Sequence, residues 1–188
     1  MKKILSVALA LSLVLTLFAG CGNTATTETT TSTEAATTVP AVTFAGTMEE
    51  LLNQIVEIAP VEFSGEAMTI DLADESEEGL WSLQSHTGLE NASEVEDAAF
   101  FEPMMGSIAY SMVAVRVKAE VGTKTVAEAM VAGINPRKWV CVEANDILCA
   151  GCGDVVLFIM LDDQLGLTAQ SFVDAFAQVM GGDPEFVI

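Results

Sequence analysis

Ile147-Leu148-Cys149-Ala150-Gly151-Cys152-Gly153-Asp154-Val155-Val156-Leu157-Phe158-Ile159-Met160-Leu161 is the stretch that decides how this chain folds. Its second half is apolar at every position, so neither face of a strand there can be left in water. Gly153-Asp154 suits a two-residue hairpin turn. The stretch therefore predicts a β-hairpin whose second strand is central and covered on both faces, ending at Asp162-Asp163.

Working back from the hairpin, residues 110–118 alternate. Tyr110, Met112, Ala114, Arg116 and Lys118 share one face, and Ser111, Val113, Val115 and Val117 share the other. The spacing predicts a strand with its valine face inward. Residues 94–105 read as a strand or extended arm ending in Pro103-Met104-Met105, with Gly106 turning the chain. Residues 61–70 read as extended or irregular.

Helix signals separate these segments. Thr47-Met48-Glu49-Glu50 is a capping box followed by Leu51, Leu52, Ile55 and Ile58 at helical spacing, closed by Pro60. Asp74-Glu75-Ser76-Glu77 reads as a second cap, for a helix through Leu80, Trp81, Leu83 and Gln84 that Gly88 ends in a left-handed cap. Thr125 and Glu128 frame a third, for a helix interrupted at Gly133 and Asn135-Pro136. Thr168 caps a last one, with Phe172, Val173, Phe176, Val179 and Met180 on one face and Gly181 as its stop. Residues 137–143 are ambiguous. Trp139-Val140-Cys141-Val142 has strand propensity, whereas Asn135 as cap with Pro136 at the first position favours a short helix, which is the expectation adopted. The resulting fold class is α+β: an antiparallel sheet of about four strands packed against helices.

The region before residue 46 follows other rules. Met1-Lys2-Lys3 is basic, residues 4–18 are apolar apart from Ser6, Ser12 and Thr16, and Ala19-Gly20 precedes Cys21. This is the layout of a signal peptide (1–20). Residues 21–45 are rich in threonine and lack apolar periodicity, so they read as a disordered linker. Residues 46–188 read as a single domain. Leu17-Phe18-Ala19-Gly20-Cys21 resembles a bacterial lipobox, which implies diacylglycerol on the Cys21 thiol and cleavage before it. Each buried methylene contributes roughly 0.8 kcal/mol, and two acyl chains hold where one is marginal. That anchor needs no basic patch.

None is on offer. Five of the seven Lys and Arg and all 27 Asp and Glu lie from Cys21 onward, leaving that part of the chain with a net charge of −22. Nucleic-acid binding is disfavoured, because phosphates need cations, and so is electrostatic docking on anionic lipid. The acid excess fits either a solvated surface or attraction for cations and basic partners.

Motifs for chemistry are few. Cys149-x-x-Cys152 invites a thiol-redox reading, but an offset of three along a strand sends the two side chains to opposite faces. With Cys21 lipidated, Cys141, Cys149 and Cys152 are an odd count that cannot all pair. A zinc site needs about four ligands, and His86, the only histidine, is far from these cysteines. His86 is expected to favour the C-terminal end of its helix. Asp71, Asp74, Glu75, Glu77 and Glu78 lack the order of an EF-hand loop and read as a helix start. Met104, Met105, Met112 and Met160 read as core filler. No catalytic constellation and no cofactor motif appears.

Taken together, the lipobox, the leash, the arm ending in Pro103-Met104-Met105, the valine-rich strand at 112–118, the capped helix and the glycine-turn strand at 153–161 before a helix resemble an uncharacterised family of small lipoproteins from Gram-positive anaerobes, with a C-terminal domain of unknown function. The likeness covers roughly residues 70–182 and departs at Cys149-Ala150-Gly151-Cys152 and at the helix break at Gly133. It implies no catalytic residues. The expectation is a lipoprotein on the extracytoplasmic face of the membrane, held through lipid on Cys21. Its domain would be a non-catalytic module for a protein or small-molecule partner. The alternative is an extracytoplasmic enzyme, thiol-redox or other, using Cys149 and Cys152.

Overall fold

The computed structural model describes residues 43–188. The expectations for the signal peptide, for Cys21 and for most of the linker lie outside them. The elements run α1 (Met48–Ile58), β1 (Gly65–Thr69), α2 (Glu77–Thr87), β2 (Val95–Pro103), β3 (Tyr110–Val117), α3 (Thr123–Gly133), β4 (Asp146–Cys152), β5 (Val155–Leu161), a short 3-10 turn (Asp163–Leu165), α4 (Ala169–Met180) and β6 (Phe186–Val187). The class is α+β with one antiparallel sheet. Among the described residues it has six strands, in the order β1-β2-β3-β5-β4-β6. The two beyond the expected four are the edges: β1 comes from the stretch read as extended or irregular, and β6 is only two residues long.

β5 is where its composition puts it. It pairs with β3 (Tyr110↔Leu161) and with β4 (Cys152↔Val155), and all seven of its residues are buried. Gly153 starts the hairpin turn at φ 61°, a left-handed conformation open to glycine without steric strain. Both sheet faces are covered. On one, α1 and α4 bring Leu51, Ile55, Phe172 and Phe176 onto Tyr110, Met112, Leu157 and Ile159. On the other, α2 and α3 bring Leu83, Val126 and Met130 onto Val113, Val115, Phe158 and Met160. The expectation that only the valine face of residues 110–118 looks inward is corrected: Tyr110, Met112 and Ala114 are equally buried, because a central strand in a three-layer fold has no wet side.

Caps are satisfied unevenly. Thr47 and Glu50 form the reciprocal capping box of α1, and Thr168 caps α4 by accepting from the Ser171 N–H. Two expected caps differ. α2 is capped by Ser76, while Asp74 accepts from the Ser76 N–H at 2.9 Å in a local turn. α3 starts at Thr123 with Gly122 as its N-cap and no side-chain capping bond. The turn closed by Val121 N–H to Lys118 carbonyl leads into the helix before Thr125 can cap it.

The entry into α1 is stapled to the sheet. Arg116 on β3 donates to the carbonyls of Phe44 (2.7 Å) and Gly46 (2.8 Å). Its guanidinium also faces Asp154 at 3.4 Å and Asp97 at 3.8 Å. Asp97 in turn accepts the Met48 N–H at 2.9 Å, near the positive end of the helix.

Residues 137–143 are neither helix nor strand, against the expected short helix. Asn135 does accept the Arg137 N–H at 3.0 Å, as a cap would. The chain then leaves helical geometry: Cys141 sits at φ 66°, Val140 N–H reaches the Gly106 carbonyl, and Ala144 N–H reaches back to Pro136. Long-range partners decide this loop.

Candidate functional site

Glu102, near the end of β2, is the centre of a part-buried polar cluster. Its Oε1 accepts from the Lys138 Nζ, from the Ser111 hydroxyl at 2.6 Å, and lies 3.1 Å from His86 Nδ1. Lys138 comes from the loop after α3, Ser111 from β3 and His86 from the last turn of α2. The His86 ring also stacks on Phe100, with centroids 3.7 Å apart and planes 7° from parallel. Four segments are thus joined through one carboxylate oxygen.

Lys138 has three donors and three acceptors: Glu102, the Ser85 carbonyl at 3.1 Å and the Ser111 Oγ at 3.2 Å. Burial on its own pushes the Glu102 carboxyl up. The His86 hydrogen bond and the Lys138 charge outweigh burial and hold it at about 2. Burial draws the Lys138 ammonium below the ordinary lysine range, and Glu102 pulls it back up. Glu102 and Lys138 form an ion pair whose charges and hydrogen bonds are matched to each other. Ser111 is completely buried and donates its proton to a carboxylate, so it is no poised nucleophile.

A cleft of about 370 Å³ opens beside the cluster. Trp81, Gln84, Ser85, Gly133, Asn135 and Lys138 line it. Trp81 is 68% exposed. The cleft exists because the ends of α2 and α3 meet backbone to backbone: a Cβ on Gly133 would lie 2.0 Å from the Gly88 carbonyl oxygen, and Gly88 itself sits at φ 77°. A larger cleft of about 530 Å³ has Leu72, Leu80 and Leu83 in its walls with Asp71, Asp74 and Glu75 beside them. Those three carboxylates belong to the acidic run read as a helix start. Among the described residues no group of three or more His, Cys, Asp or Glu is arranged to hold a metal ion.

The thiols fall as the strand geometry requires. Cys149 packs on the α2–α3 side and Cys152 on the α1–α4 side of the sheet, and both are free and buried. Burial pushes the Cys149 thiol up to about 12 and raises that of Cys152, where Glu185 and Asp154 add to the effect. Thiolate chemistry is suppressed at both. Cys141 is exposed in the loop, apart from them. Alkylation of the native protein with iodoacetamide at pH 8, followed by peptide mapping, is expected to modify Cys141 and leave Cys149 and Cys152 unmodified until denaturant is added, with or without reductant. Prompt labelling of Cys149, or a Cys149–Cys152 bridge in the map, contradicts the placement.

Sequence reasoning placed His86 at a helix end, which is correct, but missed its partners. It also missed Glu102 and Lys138 altogether. Met112 and Met160 are core residues as expected. Met104 and Met105 are not: they are exposed at the β2–β3 turn. No family model, no curated protein and no solved structure matches the chain. Among the described residues no helix is long and apolar enough to cross a membrane.

Proposed function

We propose that this chain is a lipid-anchored, non-catalytic binding module on the extracytoplasmic face of the cell membrane. In this reading diacylglycerol on Cys21 holds the chain and residues 22–45 act as a leash. Residues 46–188 then capture a protein or small-molecule partner, a role that a tether suits. The observation that carries the non-catalytic part is the state of the part-buried cluster around Glu102 and Lys138. Every Lys138 donor is engaged and the Ser111 hydroxyl already serves Glu102, so neither is free to activate or attack a substrate. The thiol-redox alternative has the opposite-face placement of Cys149 and Cys152 against it. Support for the anchor comes from Leu17-Phe18-Ala19-Gly20-Cys21, and from an acid excess that offers the membrane no electrostatic grip.

Detergent phase partitioning of cells expressing the full chain tests the anchor. The natural protein is expected in the detergent phase. The Cys21→Ala variant is expected in the medium or aqueous phase, with an unchanged thermal transition. A Cys21→Ala chain that stays with the membrane overturns the reading.

A further inference from the structure

The cleft beside Lys138 differs in chemistry from the rest of this surface. The chain from Cys21 onward carries 27 carboxylates against five cations, and four of those cations are held by ion pairs or hydrogen bonds to carbonyls. The larger cleft is rimmed by Asp71, Asp74 and Glu75, and the others beside α2 and β1 also carry acids. The lining of the 370 Å³ cleft contains no acid at all. It offers an exposed indole, two primary amides and a neutralised ion pair instead.

The indole and the two amides each have a free recognition valence. Trp81 stands in the wall with most of its ring in solvent. An indole exposed at the mouth of a cavity presents an apolar face that a ligand can cover. Among the described residues the Gln84 amide makes no hydrogen bond. Asn135 uses only its Oδ1, to accept the Arg137 N–H, which leaves its Nδ2 open. The amides are presented by rigid elements: Gln84 by the last turns of α2, and Asn135 by the loop that Lys138 pins to β2 and β3. A pocket with an aromatic wall and a few fixed polar groups is built for orientation-specific binding of a small molecule.

We propose that this cleft binds a neutral saccharide, with a pyranose ring stacked on the Trp81 indole and ring hydroxyls bonded to the Gln84 and Asn135 amides. The apolar C–H face of a pyranose matches an indole, and its hydroxyls both donate and accept, as an amide does. A neutral ligand avoids the two penalties this protein imposes. An anion would approach a surface of net charge −22, and a cation has no carboxylate in the cleft lining to meet. This inference rests on the binding-module reading and names its ligand class.

The test uses the full-length protein in detergent, titrated calorimetrically with maltotriose, cellotriose and chitotriose, with tetramethylammonium and sialic acid as charged probes. At least one neutral trisaccharide is expected to bind saturably. Trp81→Ala is expected to weaken it by more than about tenfold, as loss of a tryptophan anchor does. Gln84→Ala is expected to weaken it less. Val131→Ala, which removes an exposed apolar side chain elsewhere on α3, is expected to change nothing. Trp81 is exposed, so its variant should keep the natural thermal transition, and that measurement is part of the test. Absence of binding by all three sugars, equal binding by Trp81→Ala, or a preference for either charged probe overturns the proposal. Chromatography of the recovered sugar separates the two readings: intact sugar supports both, whereas cleaved sugar supports the site and refutes the non-catalytic function.

Discussion

Lys138→Met is expected to lower the stability of the folded chain by about 3–5 kcal/mol, measured as the shift in urea midpoint at pH 7. Removing the ammonium leaves the largely buried Glu102 carboxylate with only Ser111 and His86 as partners. An unpaired buried charge costs more than the missing bond would suggest, because its desolvation is no longer offset. The pair is therefore expected to be strongly non-additive. Lys138→Met combined with Glu102→Gln strands no charge, and the amide oxygen that replaces the carboxylate can still accept from Ser111. The double variant should be more stable than the sum of the two single losses predicts by at least about 1 kcal/mol. Strict additivity would mean that the two residues do not act as a pair.

The same pair has a pH signature. Glu102 is held at about 2 against an ordinary value of 4.5. Its contribution is fully present above the unfolded value and is lost as pH falls toward about 2. In Lys138→Met the carboxyl loses its main counter-charge and protonates at higher pH. The stability gap between natural protein and variant should therefore close as pH falls from 5 toward 2. A gap that stays constant over that range points to lost packing of the lysine stem instead.

Gly133→Ala is expected to destabilise the domain by about 2 kcal/mol or more, against the sign that helix propensity alone gives. Gly133 is the last residue of α3, where alanine would gain roughly 0.5–1 kcal/mol. The new Cβ would lie 2.0 Å from the Gly88 carbonyl oxygen. That neighbour is backbone, fixed at φ 77° in the cap of α2, so it cannot swing away. Relieving the clash means parting the two helix ends, at the roughly 1–3 kcal/mol or more typical of overpacking. Gly133 and Lys138 border the same cleft, so the variant should also weaken any ligand held there. A variant with an unchanged or raised urea midpoint would show that the approach of the two helices is looser than described.

What could be read from the sequence follows from how far each determinant lies along the chain. The covered strand at Val155–Leu161 was legible because seven consecutive apolar residues leave no other solution. The opposite-face placement of Cys149 and Cys152 was legible because strand side chains alternate whatever the tertiary fold. The box at Thr47 and Glu50 was legible because it closes within one turn. The loop at 137–143 was not. Its geometry depends on Lys138 reaching Glu102 in β2, 36 residues away, and Ser111 in β3. Local propensity carries no trace of such partners. One signal was available. Ser111 shares a face with Val113, Val115 and Val117, and a hydroxyl on an inward face needs a buried partner. With so few cations in the chain, Lys138 was among a handful of candidates to complete it.

The Arg116 staple has a mechanical consequence. Tension arriving along the chain through residue 43 meets the Phe44 and Gly46 carbonyls first, and both are held by a side chain rooted in β3, in the interior of the sheet. The load passes into the strongest part of the fold before it reaches the first turn of α1. The helix is thus shielded from being peeled off residue by residue.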